Sequence, residues 1–324
     1  MKKLSLFLSL FLSFQINAAY WIEGESYLAY WDEKNPPQYF DAISSDSSTV
    51  DKTQCRMWVT EKGKLKSFDP KGTLSIHKDA DKILSDFKKG HFITRSASQD
   101  AFETRNEKGN IVSTTKTDWI KDSIQLAPSK DQLWSLNENA TTGEAKLLSL
   151  DSNLKIKTSH FIANKSVIWP NFKLLTDPLS HQIWIAYSGS APNVGYSTYL
   201  HLFDQTSQKT FPGKVKSLFF DFCKENDGSI LFTHDNPPLV GMTLPDASVV
   251  EKISPDGKKT LVYQAENDTL IDALHCEKDR VLMIQRSLWG SVGSDLVSWD
   301  RKSIQEVQTH FHLKGPAKKI HSCN

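Results

Sequence analysis

The chain has 324 residues, 39% of them hydrophobic, and a formal net charge of +1 with acids and bases mixed along its length. That balance excludes the basic character of a nucleic-acid binder or of a polybasic membrane-surface protein. Its length suits one large domain or two ordinary ones.

The first element is an export signal. Met1, Lys2 and Lys3 precede LSLFLSLFLSF (4–14), and Gln15-Ile16-Asn17-Ala18 follows. Eleven apolar residues are too few to span a bilayer, which takes about 20. A basic start, a short apolar run and a small-residue end form a secretory signal peptide. Residues 1–18 are therefore expected to be a signal peptide cleaved near Ala18, and 19–324 a single domain without a transmembrane anchor. The expected location is the periplasm or outside the cell, and the short Lys-Lys signal has a bacterial look.

After Ala18 one pattern recurs seven times. A first strand appears at Tyr20-Trp21-Ile22, Met57-Trp58-Val59, His91-Phe92-Ile93, Leu133-Trp134-Ser135, Ile183-Trp184-Ile185, Ile230-Leu231-Phe232 and Val281-Leu282-Met283. Each is followed by a polar loop and a second strand, which usually ends in Asp, as at Trp31-Asp32, Phe68-Asp69, Leu150-Asp151, Phe203-Asp204 and Trp299-Asp300. Gly-closed turn signals follow in DPKG (69–72), NEKG (106–109) and SPDG (254–257). An apolar stretch precedes each unit, as at 123–127, 172–175, 218–222 and 270–274. The units are spaced 34 to 51 residues apart. That range brackets a four-stranded propeller blade.

These repeats predict an all-β propeller, with seven four-stranded blades favoured and six as the alternative. A pair of β-sandwiches would not recur sevenfold, and a β-helix has shorter coils. The last strand of the ring is expected to be KKIHS (318–322), completing the blade that begins at Tyr20. Closure in this way leaves no open sheet edge.

Four Cys in an exported chain favour disulfides. Cys223, Cys276 and Cys323 each end an innermost strand, and Cys55 precedes a first strand, so the four gather at one inner turn of the ring. The expected pairs are Cys223–Cys276 and Cys55–Cys323. A Cys276–Cys323 bridge with the other two free is the alternative.

The repeat resembles seven-bladed propellers of the NHL, SMP-30-like and bacterial YVTN kinds over nearly the whole mature chain. The resemblance implies architecture and leaves activity open. It also implies, for the lactonase-type members, a metal held by Glu, Asn and Asp at the channel mouth. Glu23 and Glu25 are the early acidic candidates for such a set, but no partners at the expected blade positions are evident.

The long loops SGSAPNVGYSTY (188–199), HDNPPLVGMTLPDAS (234–248) and RSLWGSVGSD (286–295) are expected on the face opposite the cysteines. Long loops on a rigid scaffold gather binding residues, and Tyr, Trp and Arg dominate interfaces. The candidate ligand-binding residues are Tyr187, Tyr196, Tyr199, His234, Asp235, Asn236, Arg286 and Trp289. The Trp of the first strands, by contrast, read as core. His310 and His312 fall on one strand face, but they are two ligands without a third. No catalytic motif is found: there is no G-x-S-x-G elbow, Gly-rich phosphate loop or EF-hand loop.

The expected function is a non-enzymatic binding or scaffold propeller, monomeric in fold. Its ligand would be a protein, a glycan or a cell-envelope component, with no cofactor. The competing reading is a metal-dependent hydrolase or lactonase acting at the channel mouth, with Ca as its metal.

Overall fold

A computed structural model describes residues 18–323, apart from 73, 86–88, 121–122, 129–132, 140, 143, 152, 164–170, 177–181, 192–194, 205–206, 211–220, 237–246, 289–292 and 303–305. The expected signal peptide thus lies almost wholly outside the described residues. Among those residues, no helix is long and apolar enough to cross a membrane.

The chain is all β. It opens with β1 (Tyr20–Gly24), β2 (Tyr27–Trp31) and β3 (Gln38–Asp41). The next four-strand meander is β4 (Ser47–Asp51), β5 (Arg56–Glu61), β6 (Lys64–Phe68) and β7 (Leu74–Asp79). The third is β8 (Lys82–Ile83), β9 (His91–Arg95), β10 (Ala101–Asn106) and β11 (Ile111–Lys116). The fourth is β12 (Ser123–Pro128), β13 (Leu133–Glu138), β14 (Ala145–Leu150) and β15 (Ile156–Ala163). The fifth is β16 (Asn171–Thr176), β17 (Ile183–Ala191), β18 (Gly195–Asp204) and β19 (Ser207–Thr210). Then come β20 (Asp221–Lys224), β21 (Ile230–Asn236), β22 (Ala247–Ile253) and β23 (Lys259–Gln264). The chain finishes with β24 (Thr269–Cys276), β25 (Arg280–Ser287), β26 (Asp295–Asp300), β27 (Val307–His312) and β28 (Ala317–Ser322).

Hydrogen bonding sorts these strands into five separate four-stranded blades and one eight-stranded sheet. That differs from the expected seven (or six) independent blades. The cause is local: Ala247 of β22 bridges Thr269 of β24 in parallel, and this contact fuses β20–β23 with β24–β27.

The C-terminal strand β28 pairs antiparallel with β1, matching Tyr20 to Ser322 and Ile22 to Ile320. The order β28-β1-β2-β3 therefore puts both ends of the chain in one blade. A side-chain cluster joins this blade to β24–β27. Arg280 Nη2 donates to Tyr20 Oη at 2.8 Å, Arg280 Nε donates to Glu277 at 2.7 Å, and Glu33 also pairs with Arg280.

Apolar residues in the middle strands of the blades pack face to face between neighbours. Trp21, Trp58 and Trp184 are fully buried, and Trp134, Trp31 and Trp299 nearly so. Burying a ring of that size contributes on the order of 4–5 kcal/mol before entropy is counted. The outermost strands have one face turned outward, and Leu74, Ile76, Val112, Ile156, Phe161 and Leu261 on them stay exposed.

The turns follow from their residues. In DPKG, Gly72 sits at φ +92° and its amide donates to Asp69 O at 2.9 Å. In NEKG, Gly109 sits at φ +75°, and a Cβ there would meet His77 and Trp58 at 2.8 Å. Both conformations favour glycine. The Gly109 carbonyl also accepts a bond from Arg105 Nη1 at 3.0 Å. Arg105 is completely buried, and its remaining donors go to Thr94 Oγ1, Asp79 O and Glu103.

Both expected disulfides form. Cys55 bonds Cys323 and Cys223 bonds Cys276, with Cα atoms 4.9 and 5.5 Å apart.

Candidate functional site: the central channel

The innermost strands β28, β4, β8, β12, β16, β20 and β24 all contribute to one cavity of about 1170 Å³. They run in a common direction. The N-terminal ends of β28 and the segment before β4 are tied by Lys318 Nζ to Ser45 O at 3.1 Å. The C-terminal ends of β20 and β24 are tied by the Cys223–Cys276 disulfide.

Polar side chains stitch neighbouring innermost strands together. Ser47 Oγ accepts the Ile83 amide at 2.7 Å. Gln125 clamps Leu174 on both sides, donating to its carbonyl at 3.1 Å and accepting from its amide at 3.2 Å. Asp221 pairs with Lys173 and accepts the Leu274 amide at 2.7 Å. The bonds to Ile83, Leu174 and Leu274 satisfy backbone groups of the innermost strands.

The mouth at the N-terminal ends of these strands carries both charges: Glu25, Asp46, Asp221 and Asp272 against Lys82, Lys173, Arg286 and Lys318. Arg286 Nε donates to both oxygens of Asp272, at 2.8 and 3.0 Å. Burial nevertheless holds the Asp272 carboxyl above its ordinary range; Arg286 opposes the shift and Glu25 adds to it. Lys173 Nζ also lies 5.2 Å over the Phe222 ring. Burial pushes Lys82 below the ordinary lysine range; the Arg95 charge assists and Asp81 opposes.

Deeper in the channel, Glu23, Ser48 and His321 meet. Burial pushes the Glu23 carboxyl up. Hydrogen bonding by His321, the charges of Lys319 and His321, and the Ser48 hydroxyl outweigh burial and hold it far below the usual carboxylate range. The residue types are those of a hydrolytic triad, but the geometry is not. Ser48 Oγ lies 3.1 Å and Glu23 Oε2 3.4 Å from the same nitrogen, His321 Nε2, and Ser48 donates to Glu23. A triad places acid and nucleophile on opposite ring nitrogens. The cluster instead fastens β4 to both terminal strands.

Of the residues singled out in the sequence, Glu23, Glu25 and Arg286 reach this channel. Tyr187 does not lie on an exposed loop. It is buried in β17, stacked between Tyr199 at 5.0 Å and His201 at 5.4 Å. Tyr199 is half-buried beside it. Segment 188–199 extends the hairpin, since β17 and β18 pair out to Ala191 and Gly195. This longer pairing draws the two tyrosines into the core.

His234 lies on β21, 3.4 Å from Glu251. The backbones of Tyr196, Asp235 and Asn236 belong to β18 and β21, but their side chains lie outside the described residues, as does Trp289. His310 packs against Trp31 with ring centroids 4.8 Å apart, and exposed His312 pairs with Asp295, so the two do not share a site. Among the described residues no group of three His, Cys, Asp or Glu could hold a metal ion.

The pairing of Asp272 with Arg286 and of Asp221 with Lys173 was not visible in the sequence. The only signal was a charged residue within an otherwise apolar innermost strand, as in IDALHC (271–276).

No protein-family model matches the chain, and no curated protein matches it. Solved structures do resemble it. The β-propeller domain of the Trilobed protease from Pyrococcus furiosus aligns at a TM-score of 0.58 and 11% identity, over 92% of this chain and 95% of that one. A Lactobacillus plantarum protein aligns at 0.57 and 10% identity, over 94% and 99%. Virginiamycin B lyase from Staphylococcus aureus aligns at 0.50 and 12% identity, over 82% and 83%. At such identities the likeness extends to the fold alone, and by fold this chain is a β-propeller.

Proposed function

We propose that this chain is an exported binding propeller that holds a cell-envelope glycan or peptide at the N-terminal mouth of its channel. The eight-stranded sheet then acts as two blades, which makes seven around the channel. The observation that carries the reading is the pairing of opposite charges at that mouth: Asp272 with Arg286 and Asp221 with Lys173, beside Lys318 and Lys82. Such a rim matches a ligand that bears both charges on a polar frame, as peptidoglycan fragments do. Opposite charges placed in a concave site give register and specificity. Export is supported by the apolar run 4–14 and by the two disulfides.

A hydrolase reading through Ser48 lacks a relay, because Ser48 and Glu23 meet the same nitrogen of His321. The test is calorimetric titration of the purified protein with a soluble disaccharide–pentapeptide of peptidoglycan, alongside elemental analysis. Saturable binding without turnover supports the proposal. Stoichiometric Ca or Zn together with hydrolysis of the probe or of a lactone would overturn it.

A further inference from the structure

We propose that Lys82 forms a carboxylate subsite: its ammonium group takes a carboxylate of the ligand held at the N-terminal mouth of the channel. This subsite rests on the binding reading above and deepens it, naming both the group on the ligand and the residue that meets it.

The other cations named at this mouth are engaged. Arg286 is paired with Asp272, Lys173 with Asp221, and Lys318 with Glu23 and the Ser45 carbonyl. Lys82 lines the same channel, half-buried. Among the described residues, no hydrogen bond or ion pair reaches its ammonium group.

Its surroundings explain why. Asp81, the preceding residue, is taken by Arg95, whose Nε donates to it at 2.6 Å, and by Gln99 Nε2 at 3.0 Å. In the β8–β9 pair, Lys82 stands opposite Arg95, a like charge. From β4 comes Ser47, a neutral hydroxyl that accepts the Ile83 amide, and just before it Asp46 accepts the Lys62 amide at 2.9 Å. From β12 comes Gln125, whose amide group is spent on Leu174. Burial penalises the Lys82 charge, Arg95 adds to the penalty and Asp81 relieves only part of it. A carboxylate entering the channel supplies the missing counter-ion through a charge-assisted hydrogen bond.

The backbone that presents Lys82 is fixed on both sides. The Asp81 amide donates to Arg95 O at 3.0 Å and the Leu84 amide to Ile93 O at 2.9 Å. A donor placed in this way costs little further ordering when a ligand binds. Carboxylates at the same mouth, Asp46, Asp221 and Asp272 among them, oppose a multiply charged anion. One unpaired ammonium therefore suits a singly charged carboxylate, from a peptide terminus or from an acidic sugar.

The experiment labels the lysine Cε atoms of the full chain with carbon-13 and follows them by NMR. The Lys82 signal is assigned by its loss in Lys82→Met. The probes are N-acetyl-D-alanyl-D-alanine and, separately, glucuronic acid, each beside its uncharged amide, and the intact disaccharide–pentapeptide. The first two arms distinguish a peptide source from a sugar source. At least one acid should shift the Lys82 signal saturably, with a Kd tighter than about 10 mM, and its amide should bind about tenfold more weakly. Lys82→Met should keep the wild-type melting temperature and bind acid and amide alike. The subsite is overturned if no acid moves the Lys82 signal, or if Lys82→Met still prefers the acid. Failure of the disaccharide–pentapeptide, with a simple acid still bound through Lys82, would remove the peptidoglycan reading and leave the subsite. Equal binding of the disaccharide–pentapeptide to wild type and Lys82→Met would remove the subsite and leave that reading.

Discussion

Cys55 and Cys323 are joined across 268 positions, and the same turn is held by Trp21, whose Nε1 donates to Cys55 O at 2.9 Å. The Cys323 amide adds a bond to Ala19 O at 2.8 Å. Start and end of the chain are thus locked at one point. Replacing both residues by Ser should lower unfolding free energy by about 2–4 kcal/mol in urea. The Cys223–Cys276 pair closes a shorter loop of 53 positions. Its removal should cost about 1 kcal/mol less by chain entropy. Equal midpoints for wild type and the Cys55/Cys323 double variant would contradict the lock.

Arg105 lies buried with four partners and no access to water. Arg105→Ala removes the cation paired with Glu103 and the side-chain donor to the Gly109 and Asp79 carbonyls. A loss of about 3–5 kcal/mol is expected, read from denaturant midpoints. A loss below about 1 kcal/mol would mean that the guanidinium is solvated.

Gly63 and Gly109 share the same backbone conformation, φ +74° and +75°, but differ in surroundings. A Cβ at Gly63 meets nothing within 4 Å, while one at Gly109 meets His77 and Trp58 at 2.8 Å. Gly63→Ala should therefore cost only the conformational strain, about 1 kcal/mol. Gly109→Ala should cost clearly more. Similar melting temperatures for the two would remove the packing argument.

Acid should destabilise the protein in two stages. Burial holds His201 and His275 down to about 4 from 6.5. Between these values the unfolded chain binds protons that the native state refuses, so stability falls as pH drops from 6.5 towards 4. Glu23, depressed in the fold, adds a further loss as pH falls below its ordinary value of 4.5. His201→Phe should flatten the first stage, seen as a smaller drop in melting temperature between pH 7.5 and 4.5. A wild-type melting temperature that does not move over that interval would refute the buried neutral histidines.

Much of the fold was legible because each unit repeats its apolar centre, and Trp21, Trp58, Trp134 and Trp184 became core as their register implied. The disulfide partners were legible for the same reason, since Cys223, Cys276 and Cys323 end equivalent strands. The merger at Ala247 and Thr269 was not, because one parallel bridge leaves no mark in composition. Tyr187 misled because a polar, Gly-rich segment paired as a long hairpin. Asp272 and Arg286 lie 14 positions apart and meet only through the β24–β25 register, which includes a bulge between Ile271 and Ala273. Arg286 was visible as a loop candidate, but its partner was not.

The measurement that bears most directly on the channel-mouth claim is titration of Arg286→Ala and Asp272→Asn with the disaccharide–pentapeptide. Binding should weaken by about tenfold or more in both, a loss of about 1.4 kcal/mol or more, with the fold and both disulfides retained. Unchanged affinity in two folded variants would contradict binding at this mouth.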